Sequence, residues 1–201
     1  ELKDAAYAVG EVKKRNVRQR PAAPFTTSTM QQEAGRKLRF SAQRTMVIAQ
    51  QLYEGLSVGK EGSVGLITYM RTDSVQVAQS AVEEARQYIG QNYGKEYLPE
   101  KSRLYKTRTK AAQEAHEAIR PTSIRRNPDS LKSYLNSDQL RLYSLIWARM
   151  LASQMADARS EATTVDIDAV CPESIGESKQ VYNFRATGSV LVFPGFRTLY
   201  L

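Results

Sequence analysis

A tyrosine and an arginine two positions apart, in Gly65-Leu66-Ile67-Thr68-Tyr69-Met70-Arg71-Thr72-Asp73-Ser74, put a phenol beside a guanidinium where the pattern reads as a strand passing into a helix. Residues i and i+2 of an extended segment share a face. Tyr69 and Arg71 could therefore address one phosphodiester, the arginine through its planar fork of donors. A phenol with an ordinary pKa of about 10 is a weak nucleophile at neutral pH and needs a cation or base nearby. The same spacing also fits a ring packed in a strand, its hydroxyl satisfied locally. With eleven tyrosines in the chain, one near an arginine also arises by chance, so both readings stand on these residues alone.

A second candidate is Gln113-Glu114-Ala115-His116-Glu117-Ala118-Ile119-Arg120-Pro121-Thr122, which holds the only histidine of the chain between two carboxylates. Histidine titrates near neutrality, so His116 could relay a proton or, when charged, bind phosphate. The alternative is a short helix with Glu114 and His116 in solvent, stopped by Pro121.

The strings LITYMRTDS at 66–74 and EAHEAIRPT at 114–122, preceded by PFTTSTMQQEA at 24–34, resemble three signature segments of the bacterial type IA DNA topoisomerases, in the same order. The resemblance runs through essentially the whole chain to VLVFPGFRTLYL at 190–201. It implies that Tyr69 attacks single-stranded DNA and becomes joined to the 5′ phosphate of the break. It implies that Arg71 lies beside the scissile phosphate and stabilises transition-state charge, and that His116 assists by hydrogen bonding or proton transfer. Glu114 and Asp73 take supporting roles, and Arg120 and Thr122 are candidates for contact with DNA. Asp73 and Ser74 are also expected to cap the next helix.

In this family one phosphodiester is exchanged for a phosphotyrosine ester, so the break reseals without ATP and the intact enzyme relaxes negatively supercoiled DNA. The resemblance further implies Mg²⁺ held by a Toprim domain. No acidic cluster here replaces that domain, so no metal ligand is expected in this chain. The chain is expected to be a central piece of a larger enzyme, inactive or nearly so without the Toprim domain, with the rest of the polypeptide as its partner. A start inside a strand pattern, without an initiator Met, fits that expectation. A cytoplasmic, nucleoid-associated location goes with it. Two other functions fit the residues: a non-enzymatic DNA-binding helical module, and an interaction scaffold whose cations serve solubility.

Composition is compatible with a polyanionic partner. The net charge is +8, and no apolar run approaches the roughly 18 residues of a membrane span. Cys171 is alone, which excludes an internal disulfide or a cysteine zinc site. Two basic stretches are candidates for the path of DNA or for solvated loops: Lys101, Arg103, Lys106, Arg108 and Lys110, and Arg36, Lys37, Arg39 and Arg44.

The elements that must position these groups change period twice. Residues 5–12 read as a strand, followed by a cationic stretch of Lys13, Lys14, Arg15, Arg18 and Arg20. Helical spacing then holds from about Ser28 to Met155, and strand alternation returns beyond Glu161. Helices are expected from a Ser28–Gln31 capping box, from Ser41, from Ser74, after Pro128-Asp129 and after Ser137-Asp138. Leu142, Leu145, Ile146, Trp147, Met150 and Leu151 are core candidates, Glu83-Glu84 reads as a solvated face, and the Gly-rich loop Gly55–Gly62 leads into the tyrosine segment. Isolated hairpins are marginal in water. Residues 1–26 and 158–201 are therefore expected to join into one β domain, with a mainly helical domain at 27–157 inserted between them. The resemblance implies the same mixed α and β architecture, in which the helical domain carries the tyrosine and the β-rich domain forms an arch.

Overall fold

The computed structural model describes residues 2–59, 62–105, 117–172 and 180–201. It is a mixed α and β structure. In chain order its elements are strand β1 (Ala6–Gln19), helix α1 (Thr27–Glu33) continuing into a π-helical turn (Ala34–Leu38), α2 (Ala42–Glu54), the short strands β2 (Leu56–Ser57) and β3 (Ser63–Val64), α3 (Gln79–Asn92), α4 (Ser137–Gln154), β4 (Ala158–Val170) and β5 (Val181–Phe193). These divide into two compact units: Glu1–Gln19 with Ala158–Pro194, and Arg20–Asp157 with Gly195–Leu201.

The first unit is an antiparallel sheet in the order β1-β4-β5. β1 extends well past the expected 5–12, so Lys13, Lys14, Arg15 and Arg18 lie within its ladder rather than after it. An edge strand exposed along its whole length accommodates such side chains, because their heads stay in water. The register slips between Val9 and Glu11, where a Cβ on Gly10 would come within 2.9 Å of Asp168 Oδ2. Across the strands Tyr7, Val9 and Val12 stand opposite Ala169, Ile167 and Val165, which in turn face Tyr182, Phe184 and Ala186, giving one apolar face. The reverse face is polar: Arg185 Nε donates to Asp166 at 2.6 Å and Asn183 Nδ2 to Asp168 at 2.8 Å.

The second unit is built around α4, which packs against both α2 and α3. Leu142, Leu145, Ile146, Trp147, Met150 and Leu151 are all buried, the stripe that the helical period predicts. Their polar neighbours are satisfied as burial requires. The Trp147 indole donates to Ile124 O at 2.9 Å and the Tyr143 hydroxyl to Arg126 O at 2.6 Å, with burial pushing the Tyr143 phenol well above its ordinary pKa.

Helix starts differ from expectation where a different side chain takes the cap. Thr26, not Ser28, caps α1, in a reciprocal pair with Thr29. Asn136 caps α4 and exchanges hydrogen bonds with Gln139 at 2.9 and 3.0 Å. Ser41 caps α2 as expected. Glu84 is not a solvated side chain: it accepts from the Ser123 hydroxyl at 2.7 Å and Ile124 N at 3.1 Å, holding the turn after Thr122.

Residues 20–26 and 195–201, expected with the β segments, cluster with the helices. Phe25 and Phe196 are buried there, and the Tyr200 hydroxyl donates to Glu33 Oε2 at 2.6 Å. Arg103, read as part of a basic stretch, is an internal clasp that pairs with Asp157 and donates to Met155 O at 2.8 Å.

Asn136→Ala should lower stability by about 1 kcal/mol in urea denaturation, with Ser137→Ala close to neutral. Burial of Glu33 favours its neutral form, but hydrogen bonds from Tyr200 and Arg36 and the charges of Arg36 and Lys37 outweigh this and hold the carboxyl below its ordinary 4.5. A depressed carboxylate contributes stability above its unfolded pKa and loses it as pH falls through the folded value. Acid titration of stability should therefore show a loss beginning near 4.5 that is smaller in Tyr200→Phe.

Candidate active site

Tyr69 sits in a segment without a continuous ladder. Two isolated bridges, Phe25 to Ile119 and Ile67 to Pro121, bring the described parts of the three signature strings side by side. Between them run single backbone bonds: Ile119 N to Phe25 O at 2.8 Å, Thr68 N to Arg120 O at 2.9 Å, Thr122 N to Leu66 O at 3.0 Å, and Thr27 N to Thr72 O at 2.9 Å.

Threonine hydroxyls complete the pairing. Thr68 Oγ1 donates to Ala118 O at 2.7 Å and accepts from Arg120 N at 3.0 Å. Thr27 Oγ1 donates to Met70 O at 2.7 Å and accepts from Thr72 N at 2.8 Å. Thr122 Oγ1 donates to Gly65 O at 2.7 Å. Met70, Thr72 and Ser74 are buried, while Tyr69, Arg71 and Asp73 are exposed, so these three side chains emerge on the solvent side.

Tyr69 is 41% exposed, and its ring meets Tyr53, from the last turn of α2, edge-on with centroids 5.3 Å apart and planes at 65°. A clamp between α2 and the tyrosine segment fixes that meeting. Leu66 N donates to Leu52 O at 2.7 Å, and a Cβ on Gly65 would approach Tyr53 O to 2.7 Å, so glycine is needed for the close approach. Gly55 ends α2 at φ +114°, a region that glycine favours. The Gly-rich loop between them is a small hairpin in which β2 pairs with β3.

Arg71 has no ion pair or hydrogen bond among the described residues, which leaves its donor fork for a ligand. Asp73 and Ser74 do not cap a helix, because α3 starts only at Gln79. Ser74 instead accepts from Gln76 N at 3.1 Å. The first turn of α3 is served from elsewhere in the chain: Glu117 Oε1 accepts from Ala78 N at 2.6 Å, and its Oε2 takes Arg120 Nη2 at 2.7 Å. Arg120 also donates to Pro121 O at 2.9 Å, and its side chain is 12% exposed, so its guanidinium is turned inward.

His116, Glu114, Lys106, Arg108 and Lys110 lie outside the described residues. In the other basic stretch Arg36 and Lys37 pair with Glu33, and Arg44 pairs with Asp138 while lying 4.6 Å from the Phe40 ring centroid. Arg39, in the left-handed region at φ +62°, is exposed. Among the described residues no group of three or more His, Cys, Asp or Glu side chains could hold a metal ion, and no helix is long and apolar enough to cross a membrane. Sequence reasoning did not single out Tyr53, Thr27, Thr68 or Glu117. Their signal was the threonine content of the signature strings and the second carboxylate beside the histidine.

A family model described as DNA topoisomerase matches residues 1–201. The chain is 48% identical over 192 residues to DNA topoisomerase 1 of Xylella fastidiosa, covering 96% of this chain and 22% of that protein. It is 48% identical over 199 residues to DNA topoisomerase 1 of Rickettsia felis, covering 99% of this chain and 24% of that one. Among solved structures, full-length topoisomerase I from Thermotoga maritima aligns with a TM-score of 0.80 at 41% identity, covering 99% of this chain and 30% of that chain. The chain thus spans about a quarter of the length of the curated relatives it matches.

Glu117→Ala should cost on the order of 1 to 2 kcal/mol, since it takes the carboxylate from the inward-turned Arg120 guanidinium and returns the exposed Ala78 N–H to water. Urea denaturation would measure the loss, and amide exchange at 78–82 should quicken. Glu117→Gln, which keeps an oxygen for Ala78, should lose less.

Proposed function

Since the chain belongs to the bacterial type IA DNA topoisomerase family, we propose that it breaks and rejoins one DNA strand by transesterification through Tyr69. The observation that carries this reading is the pair of exposed side chains, Tyr69 and Arg71, on a segment whose backbone is pinned on its buried side. The Tyr69 oxygen attacks phosphorus and loses its proton. The bond from phosphorus to the 3′ oxygen breaks, and that oxygen gains a proton, leaving a 5′-phosphotyrosine and a free 3′ hydroxyl. Resealing is the same exchange in reverse, so no ATP is consumed. Arg71 binds the phosphate oxygens through two N–H donors and stabilises their charge as the ester exchanges.

His116 assists at the phosphate, with Glu114 and Asp73 in support. Thr122, Lys106, Arg108 and Lys110 are candidate DNA contacts. Arg120 belongs to that group by its place in the signature, although its pairing with Glu117 supports a structural role. The substrate is single-stranded DNA, exposed in negatively supercoiled duplexes, which goes with a cytoplasmic, nucleoid-associated location. The Mg²⁺ that the family implies finds no ligand set among the described residues, and no step here is routed through it. Helical residues 27–157 would hold the 5′ end while a β-rich arch, to which 1–26 and 158–201 contribute, flexes on the μs–ms scale typical of hinges. The rest of the polypeptide would hold the 3′ end.

An oligonucleotide labelled at its 3′ end, incubated with the intact polypeptide and Mg²⁺ and then denatured, tests the nucleophile. Label should remain on wild type and vanish in Tyr69→Phe. DNA binding without covalent label in wild type would replace this reading with that of a binding module.

A further inference from the structure

Thr27 holds the backbone on both sides of Arg71 at once. It is the first residue of α1, yet all its polar groups outside the helical ladder reach a tripeptide more than forty positions away, Met70-Arg71-Thr72. Its hydroxyl donates to Met70 O at 2.7 Å, with a longer approach to Thr72 O at 3.2 Å, and accepts from Thr72 N at 2.8 Å, while its own N–H donates to Thr72 O at 2.9 Å. The peptide groups before and after Arg71 are therefore both fixed by one side chain. The Arg71 side chain itself leaves on the exposed side and makes no ion pair or hydrogen bond among the described residues.

A long, flexible arginine loses much rotamer freedom when it engages a ligand, and a fixed Cα and Cα–Cβ direction lowers that loss. A donor fork serves a transition state only when its origin is held to a fraction of an ångström. We propose that Thr27 is a positioning residue for Arg71, acting through the two flanking peptides and touching no substrate. This rests on the reading of Tyr69 and Arg71 given above. Valine, isosteric with threonine, keeps the packing and removes both hydroxyl bonds, so the loss would fall on the direction of Arg71 rather than on the helix.

The test is single-turnover cleavage of a single-stranded oligonucleotide by the intact polypeptide with Mg²⁺, alongside oligonucleotide affinity and the thermal midpoint. Thr27→Val should slow adduct formation on the order of 10- to 100-fold with affinity little changed, and Thr27→Ser should recover most of the lost rate. In an Arg71→Gln background the same Thr27→Val change should add little further loss, because the group it positions is gone. A full additional loss in that background, or no loss in the wild-type background, overturns the inference. Should Thr27→Val not fold, Thr27→Cys, with its weak S–H donor, supplies the same comparison. Absence of adduct in wild type overturns the reading of Tyr69 and this one with it, whereas a wild-type adduct indifferent to Thr27 overturns this one alone.

Discussion

A backbone segment that is buried on one side and exposed on the other must place every inward N–H and C=O group without a neighbouring ladder to receive them. Residues 65–74 are in that position, with a single bridge at Ile67. The groups that a sheet would have paired are taken by hydroxyls, each of which donates and accepts through one atom. Thr68 closes the gap to residues 118–120, Thr27 closes the gap to 70–72, and Thr122 reaches Gly65. Serine would offer the same atom with more rotamer freedom, whereas the branched Cβ of threonine restricts the hydroxyl to few directions. Rigidity at Tyr69 thus comes from side-chain-to-backbone bonds spread over three distant strings.

Charged groups are also tied into the fold. A net charge of +8 suggests a surface of free cations, but several of the described arginines are engaged internally. Arg103 clasps Asp157, Arg120 holds Glu117, Arg44 meets Asp138, and Arg149 lies over the Phe25 ring. Carboxylates are engaged in the same way: Glu84 ties down residues 123–124 and Glu117 serves the start of α3. Arg71 and Arg39 are exposed, as are Lys13, Lys14, Arg15 and Arg18 along β1.

The long periodic elements were legible in the sequence because their signals are strong and redundant. α4 declares itself through six apolar residues at helical spacing, and its burial follows. The strings around Tyr69 were legible by resemblance. What could not be read was anything set by long-range pairing. A threonine at 27 that binds the backbone at 70 and 72 leaves no local trace, and the late start of α3 depends on a carboxylate 39 positions away. The strand was expected to stop at residue 12, before the cationic run at 13–18, because charge lowers strand propensity. At an exposed edge, paired along one side to β4, that penalty is small.

The clamp at Leu52, Tyr53, Gly65 and Leu66 separates two neighbours in sequence that differ in their tolerance of change. Whatever happens between Gly55 and Gly65 is closed off where the chain re-enters against α2, so the length of that hairpin is decoupled from the position of the phenol. Insertions that spare the buried Val58 and the approach of Gly59 to Tyr134 meet mainly the small cost of closing a longer loop. The same change one step beyond Gly65 would shift Tyr69, Arg71 and every hydroxyl bond behind them out of register. The hairpin is therefore a place where a tag or label can be inserted within a dozen residues of Tyr69 while the geometry of that side chain is preserved.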